Sequence, residues 1–146
     1  MDRLTDEKAT ESRKMSTSTT KTIFPSKLAW SGALLIAAVG LIHLLEAPGE
    51  LEEATYLGLL FLANVGGAVV AAIGIYRNYR WGWGLGALVA GGAFAGYVIS
   101  RTIGLPGMPV EDWLELLGVL SLLVEGLFIG LWLANFARPA KGVMMD

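Results

Sequence analysis

The apolar positions of this chain gather into four runs, at about 28–47, 54–76, 81–100 and 113–134. Each is near the ~20 residues that a helix needs to cross ~30 Å of hydrocarbon. None alternates apolar with polar residues, and all are too long for barrel strands. Backbone N–H and C=O groups in lipid must be paired within their own segment, so the pattern predicts four membrane-spanning helices. The links, 48–53, 77–80 and 101–112, are short, which makes successive helices antiparallel neighbours. The expected fold is an all-α, four-helix antiparallel bundle over residues 28–136. Residues 10–22 hold eight Ser or Thr without apolar periodicity, so 1–27 read as a disordered polar tail. Residues 137–146 read as a second, short tail. The first run exceeds the 7–15 residues of a signal-peptide core and lacks a small-x-small pattern after it, so it reads as an uncleaved anchor.

Composition agrees with this reading and narrows it. The 146 residues are 54 % hydrophobic and only 16 % charged, with a mean hydropathy of +0.57. Soluble domains carry about 25 % charged residues. The absence of Cys excludes a disulfide scaffold, a Cys-based zinc site and a thiol nucleophile. A net charge of -2 leaves no basic footprint for nucleic acid. The spacing Gly82-x-Gly84-x-Gly86 follows no strand and reads as helix packing rather than a phosphate loop.

The uneven placement of charge predicts the threading. Alternate spans put both tails and the 77–80 link on one side, with ten of the 11 Lys/Arg. The positive-inside rule makes that side cytoplasmic, in the cell inner (plasma) membrane. The outer side then holds Arg101 alone against Glu46, Glu50, Glu52, Glu53, Glu111, Asp112 and Glu115. Trp30, Tyr76, Tyr79, Trp81, Trp83, Trp132 and Phe136 would mark the inner interface, and Tyr56, Tyr97 and Trp113 the outer one.

Helices in lipid associate through small residues. Two rows stand out in the third run, Gly92/Gly96/Ser100 and Gly82/Gly86/Ala90. Ala63/Gly67/Ala71 and Gly126/Gly130 offer further small faces. These are expected to pack the bundle, with a homo-oligomer seam as the alternative.

Ionisable and polar groups at membrane depth are the candidate chemistry. His43 and Glu46, three apart on one helical face, could supply two metal ligands, or a haem ligand in the case of His43. The plainer account is an interfacial His43 bonded to Glu46 or to a backbone carbonyl. Glu125 lies 12 positions into the fourth run, with Ser121 one turn away as a hydrogen-bond partner. Neutral, Glu125 would suit proton relay; paired with Arg101 or His43, it would be ionised and structural. A difference in depth argues against a direct His43–Glu125 contact. Asn64 sits at a depth similar to Glu125, and a contact between them would satisfy both. Arg101 is expected to tie helices together through Glu46 or Glu115, or else to bind an anion at the outer mouth. The remaining outer acids precede helices, where negative charge suits the macrodipole, and Asp112 with Glu115 reads as a capping pair.

The segments His43-x-x-Glu46, Glu52-Glu53-Ala54-x-Tyr56-Leu57-Gly58 and Tyr97-x-x-Ser100-Arg101-Thr102-x-Gly104-Leu105-Pro106-Gly107, with the acidic Glu125 in the last run, carry a resemblance. Over about residues 30–135 the chain resembles a group of small bacterial four-helix membrane proteins with no assigned activity. The resemblance implies the same architecture and directs attention to the outer half.

The leading functional expectation is an accessory or interaction subunit. It would bind a larger membrane or extracytoplasmic complex through the acidic rim, with the lipid bilayer as its other partner. One alternative is a small proton, cation or solute transporter or channel, with Glu125, Asn64, Ser121, Arg101 and Glu115 along the pathway. Another is a haem- or metal-binding redox protein built on His43 and Glu46. No motif names a cofactor or a catalytic residue.

Overall fold

A computed structural model describes residues 26–136. The tails expected over 1–25 and 137–146 lie outside the described residues. The regular elements among the described residues are four helices: α1 (Ser26–Glu53), α2 (Thr55–Tyr76), α3 (Arg80–Thr102) and α4 (Leu116–Phe136). All four are long and apolar enough to cross a membrane. Each packs on its neighbours in sequence, and α4 returns to α1, closing a ring in which α2 and α4 do not touch.

Two helix ends differ from the expected links. α1 runs through Pro48 to Glu53, leaving Ala54 as the whole connection to α2. The link was expected over 48–53, but a proline in an apolar helix is tolerated where neighbours hold the backbone. Here Leu51 folds against Gly58 so closely that a Cβ at 58 would overlap it. The amide of Ala54 also donates to the Glu50 carbonyl at 2.9 Å, completing the last turn. At the other end, Trp113 was expected to open the fourth helix. α4 begins only at Leu116, and residues 103–115 form an irregular segment between α3 and α4.

The bundle has two unlike halves. In the half nearer the termini, Ile36, Val39, Ala68, Ala71, Ile75, Trp83, Ala90 and Phe128 are fully buried in one core. Trp83 lies within this core, against expectation. Its ring stacks on Phe128 at 5.9 Å and presses onto Gly32, where only a glycine leaves room for it. Gly82 meets the backbone of Gly74 and Ile75, and Gly86 admits the Phe128 ring. So the Gly82/Gly86/Ala90 row packs as predicted. The Gly92/Gly96/Ser100 row does not. A Cβ at 92 or 96 would meet nothing within 4 Å, because these glycines face a cavity. Gly67 packs on Val89 and Ala71 is buried, whereas Ala63 faces the cavity. Gly126 and Gly130 have open space beside them.

The outside of the bundle is apolar. Leu34, Leu59, Leu88, Leu116 and Leu127 are exposed along the helices, a surface that suits lipid and would be costly in water. Trp30 meets Tyr76 edge-on and Tyr79 stacks on Trp81 at the termini end, the positions expected of an interfacial belt.

Candidate functional site

The second half of the bundle, at the acidic end, contains a partly open cavity of about 590 Å³. α1 contributes His43, Glu46 and Glu50 to its wall, at spacings of three and four residues that place them on one helical face. α2 contributes Leu57, Leu60, Phe61, Ala63 and Asn64. α3 contributes the stretch from Leu88 to Arg101, with Gly92 and Gly96 leaving the wall smooth. α4 contributes Gly118, Ser121 and Glu125, and the loop adds Leu105, Glu111 and Glu115. The site therefore unites all seven predicted positions: His43, Glu46, Asn64, Arg101, Glu115, Ser121 and Glu125.

Glu125 forms the floor. It is 1 % exposed, and Phe128, one turn further along α4, already belongs to the packed core. The Ser121 hydroxyl donates to Glu125 Oε1 at 2.6 Å, the bond expected from the sequence. Glu125 Oε2 is buried and accepts no hydrogen bond. His43 Nε2 lies 3.9 Å from Glu125 Oε1, so the two meet although unequal depths were expected. The misplaced helix ends account for the difference. Because α1 extends to Glu53 and α4 starts at Leu116, His43 stands ten residues from the end of its helix and Glu125 nine from the start of its own. At ~1.5 Å per residue both lie about 15 Å from the acidic end.

His43 is oriented by its own helix. Its Nδ1 donates to the Val39 carbonyl at 2.9 Å, and its ring packs on Phe61 at 4.9 Å. A carbonyl can only accept, so Nδ1 carries a proton, and in the neutral ring Nε2 presents a lone pair towards Glu125. The expected bond to a backbone carbonyl is thus present. Among the described residues, no three His, Asp or Glu side chains come together as a metal-binding group.

Asn64 does not reach Glu125 by any hydrogen bond described. Its Nδ2 donates weakly to the Val89 carbonyl at 3.4 Å, and its Oδ1 is buried without a partner.

Arg101 builds the rim. The side chain is buried, and its guanidinium pairs with Glu111 and, at 2.7 Å, with Glu115. Nη1 also donates to Ser100 Oγ at 2.7 Å, and Nε donates to the Asp112 carbonyl at 3.2 Å. The Tyr97 ring lies 4.2 Å beneath it. The tie to Glu115 was expected, whereas Glu111 takes the place given to Glu46. The Asp112–Glu115 capping pair does not form, since Arg101 claims the Glu115 carboxylate and the Asp112 carbonyl. The aromatic belt residues Tyr56 and Tyr97 also serve the rim, donating to the Pro106 carbonyl at 2.7 Å and the Trp113 carbonyl at 2.9 Å.

Sequence reasoning missed two participants. Phe61 supports His43, and nothing in an all-apolar run singles it out. Gly118 admits the Tyr97 ring that carries Arg101: a Cβ there would come within 2.5 Å of that ring. Its signal was available, a glycine three residues before Ser121 and so on the same helical face.

No protein-family model, curated protein or solved structure matches the chain.

Proposed function

We propose that the protein is a multi-pass protein of the plasma membrane, with both termini cytoplasmic, and that it acts as a small carrier whose binding site is the cavity above Glu125. The observation that supports this most directly is the one-sidedness of the bundle. One half holds a cavity that reaches from Glu125 to Arg101, Glu111 and Glu115 at the acidic end, and the other half is filled from Ile36 to Phe128. A carrier in one state of alternating access has this form, with its site near mid-membrane and one side closed. A continuous channel would leave its path open through both halves. Glu125 stands at the boundary, where a bound or released cation would be felt first.

The orientation rests on the ten Lys/Arg that share the termini side. The chain has no Cys, so single-cysteine variants need no background removal. With a membrane-impermeant maleimide added to intact cells, Gly96→Cys is expected to label and Ala71→Cys to stay unlabelled. Equal labelling of both, or labelling of Ala71→Cys alone, would refute the one-sided cavity. In proteoliposomes, Glu125→Gln is expected to reduce proton or monovalent-cation flux. Flux equal to that of the unaltered protein would remove Glu125 from the pathway.

A second reading, an accessory subunit that docks through its acidic-end rim, draws on the exposed Ile103, Val110 and Leu114 of the loop. Crosslinking in native membranes that recovers only the lone protomer would refute it. In the haem- or metal-binding alternative, Nε2 would be the ligating atom of His43, with the ring held through Nδ1 by the Val39 carbonyl.

A further inference from the structure

The carrier reading leaves the class of ligand open, and the cavity carries that question further. At its floor the polar atoms left over are all acceptors. Glu125 Oε2 and Asn64 Oδ1 are buried with no hydrogen-bond partner. In the neutral ring, with the Nδ1 proton spent on Val39, His43 Nε2 presents a lone pair. The one hydroxyl nearby, on Ser121, already donates to Glu125. A buried acceptor without a donor is costly, so this floor favours a group that brings donors.

The charge balance points the same way. Five carboxyl side chains line the cavity against one guanidinium. That guanidinium is spent: Nε, Nη1 and Nη2 all donate to the rim, to Asp112, Ser100, Glu111 and Glu115. An anionic ligand would find no free cation to meet it. Above the floor the wall turns apolar, with Leu57, Phe61 and Val89 beside the open faces of Gly92 and Gly96. A volume of about 590 Å³ falls within the range of small-molecule sites.

Resting on the carrier reading, we infer that the ligand is an organic ammonium cation with an apolar body: its three N–H donors meet Glu125, Asn64 and His43, and its hydrocarbon part lies along α2 and α3. A bare metal ion would leave the apolar wall unused, and a neutral apolar molecule would leave the acceptors unpaired.

The test is isothermal titration of the full chain in nanodiscs with three probes of one shape: 2-phenylethylammonium, 2-phenylethanol and 3-phenylpropanoate. The ammonium is expected to bind at least tenfold more tightly than the alcohol, and the carboxylate not to bind. Glu125→Gln, which keeps the shape, should weaken the ammonium at least tenfold and leave the alcohol unchanged, which also reports that the variant is folded. Gly92→Leu, which fills the cavity, should abolish both. If the alcohol binds as tightly as the ammonium and Gly92→Leu abolishes it, the ligand class is overturned while the cavity stands as a site. If the carboxylate binds best, or if none of the probes binds, the ammonium proposal fails. The carrier reading is then judged separately by the labelling of Gly96→Cys and Ala71→Cys.

Discussion

Gly82 and Gly84 lie two residues apart in α3, and the same substitution should move the protein in opposite directions. A Cβ at 82 would stand 2.6 Å from the Gly74 carbonyl carbon and from the Ile75 nitrogen. Comfortable non-bonded carbon contacts begin near 3.5 Å, so α2 and α3 would have to part by about 1 Å. Both contacting atoms are backbone, and no rotamer change relieves the clash. Overpacking of this kind costs about 1–3 kcal/mol, offset in part by the ~1 kcal/mol that alanine gains over glycine in a helix. Gly84 is exposed, with nothing within 4 Å of its Cβ position, so Gly84→Ala takes the helix gain alone. The two variants should therefore differ by roughly 2 kcal/mol. For a chain of this size that is about 4–8 °C in Tm. Melting both in one detergent, followed by circular dichroism, measures the gap. A Gly82→Ala variant as stable as Gly84→Ala would mean that α2 and α3 do not approach at Gly74, and the closed half of the bundle would lose its basis.

Three further outcomes are expected. Arg101→Ala leaves Glu111 and Glu115 without their cation. It should cost about 2 kcal/mol, below the ~3–5 of a fully buried pair because Glu115 is largely exposed, and should open residues 103–115 to protease; Arg101→Lys should restore part of the loss, since it keeps the charge and not the fork. Gly104→Ala should cost about 1–2 kcal/mol, read as a lower Tm, because φ is +79° at 104 and the added carbon would lie 3.0 Å from the Met108 carbonyl oxygen. Tyr56→Phe removes the hydrogen bond to Pro106 and should cost about 0.5–1.5 kcal/mol, with faster hydrogen exchange at amides of the 103–110 loop; unchanged exchange would show that Tyr56 does not hold the rim.

The number, order and type of the helices were legible because each run of about 20 apolar residues has one economical solution in lipid. Their ends were not. Pro48 is a stop signal in water and a tolerated helix residue here. Trp113 belongs to an apolar run, yet Arg101 and Tyr97 hold its neighbourhood as loop. That error of a few residues hid the meeting of His43 and Glu125, because depth in a span is counted from the helix end. The candidate site itself was legible by cost, since each polar side chain at membrane depth requires a reason. Which glycine row packs and which borders a cavity was not legible. Gly82/Gly86 and Gly92/Gly96 share one spacing, and only the side chains opposite tell them apart.

Those opposite side chains also account for the cavity. α1 and α2 stay together from Trp30 and Tyr76, through Gly40 and Ala68, to Leu51 and Gly58. The close approaches of α3 to α2 run from Gly82 on Gly74 to Val89 on Gly67, and then to the Asn64 bond with the Val89 carbonyl. Beyond Val89 the face of α3 towards the cavity passes Gly92 and Gly96, which offer no side chain to fill the gap. α3 is instead engaged on its α4 side, where Tyr97 fits against Gly118 and Arg101 fastens the loop. The helices are thus pinched by glycines at one end and held to a different neighbour at the other, and the space between is the cavity. A charge clamp at Arg101, added to the packing of Tyr97 on Gly118 and of Leu51 on Gly58, keeps that end in place. It follows that substitutions at Arg101 should alter the cavity's access without loosening the core around Trp83, whereas substitutions at Gly82 should do the reverse.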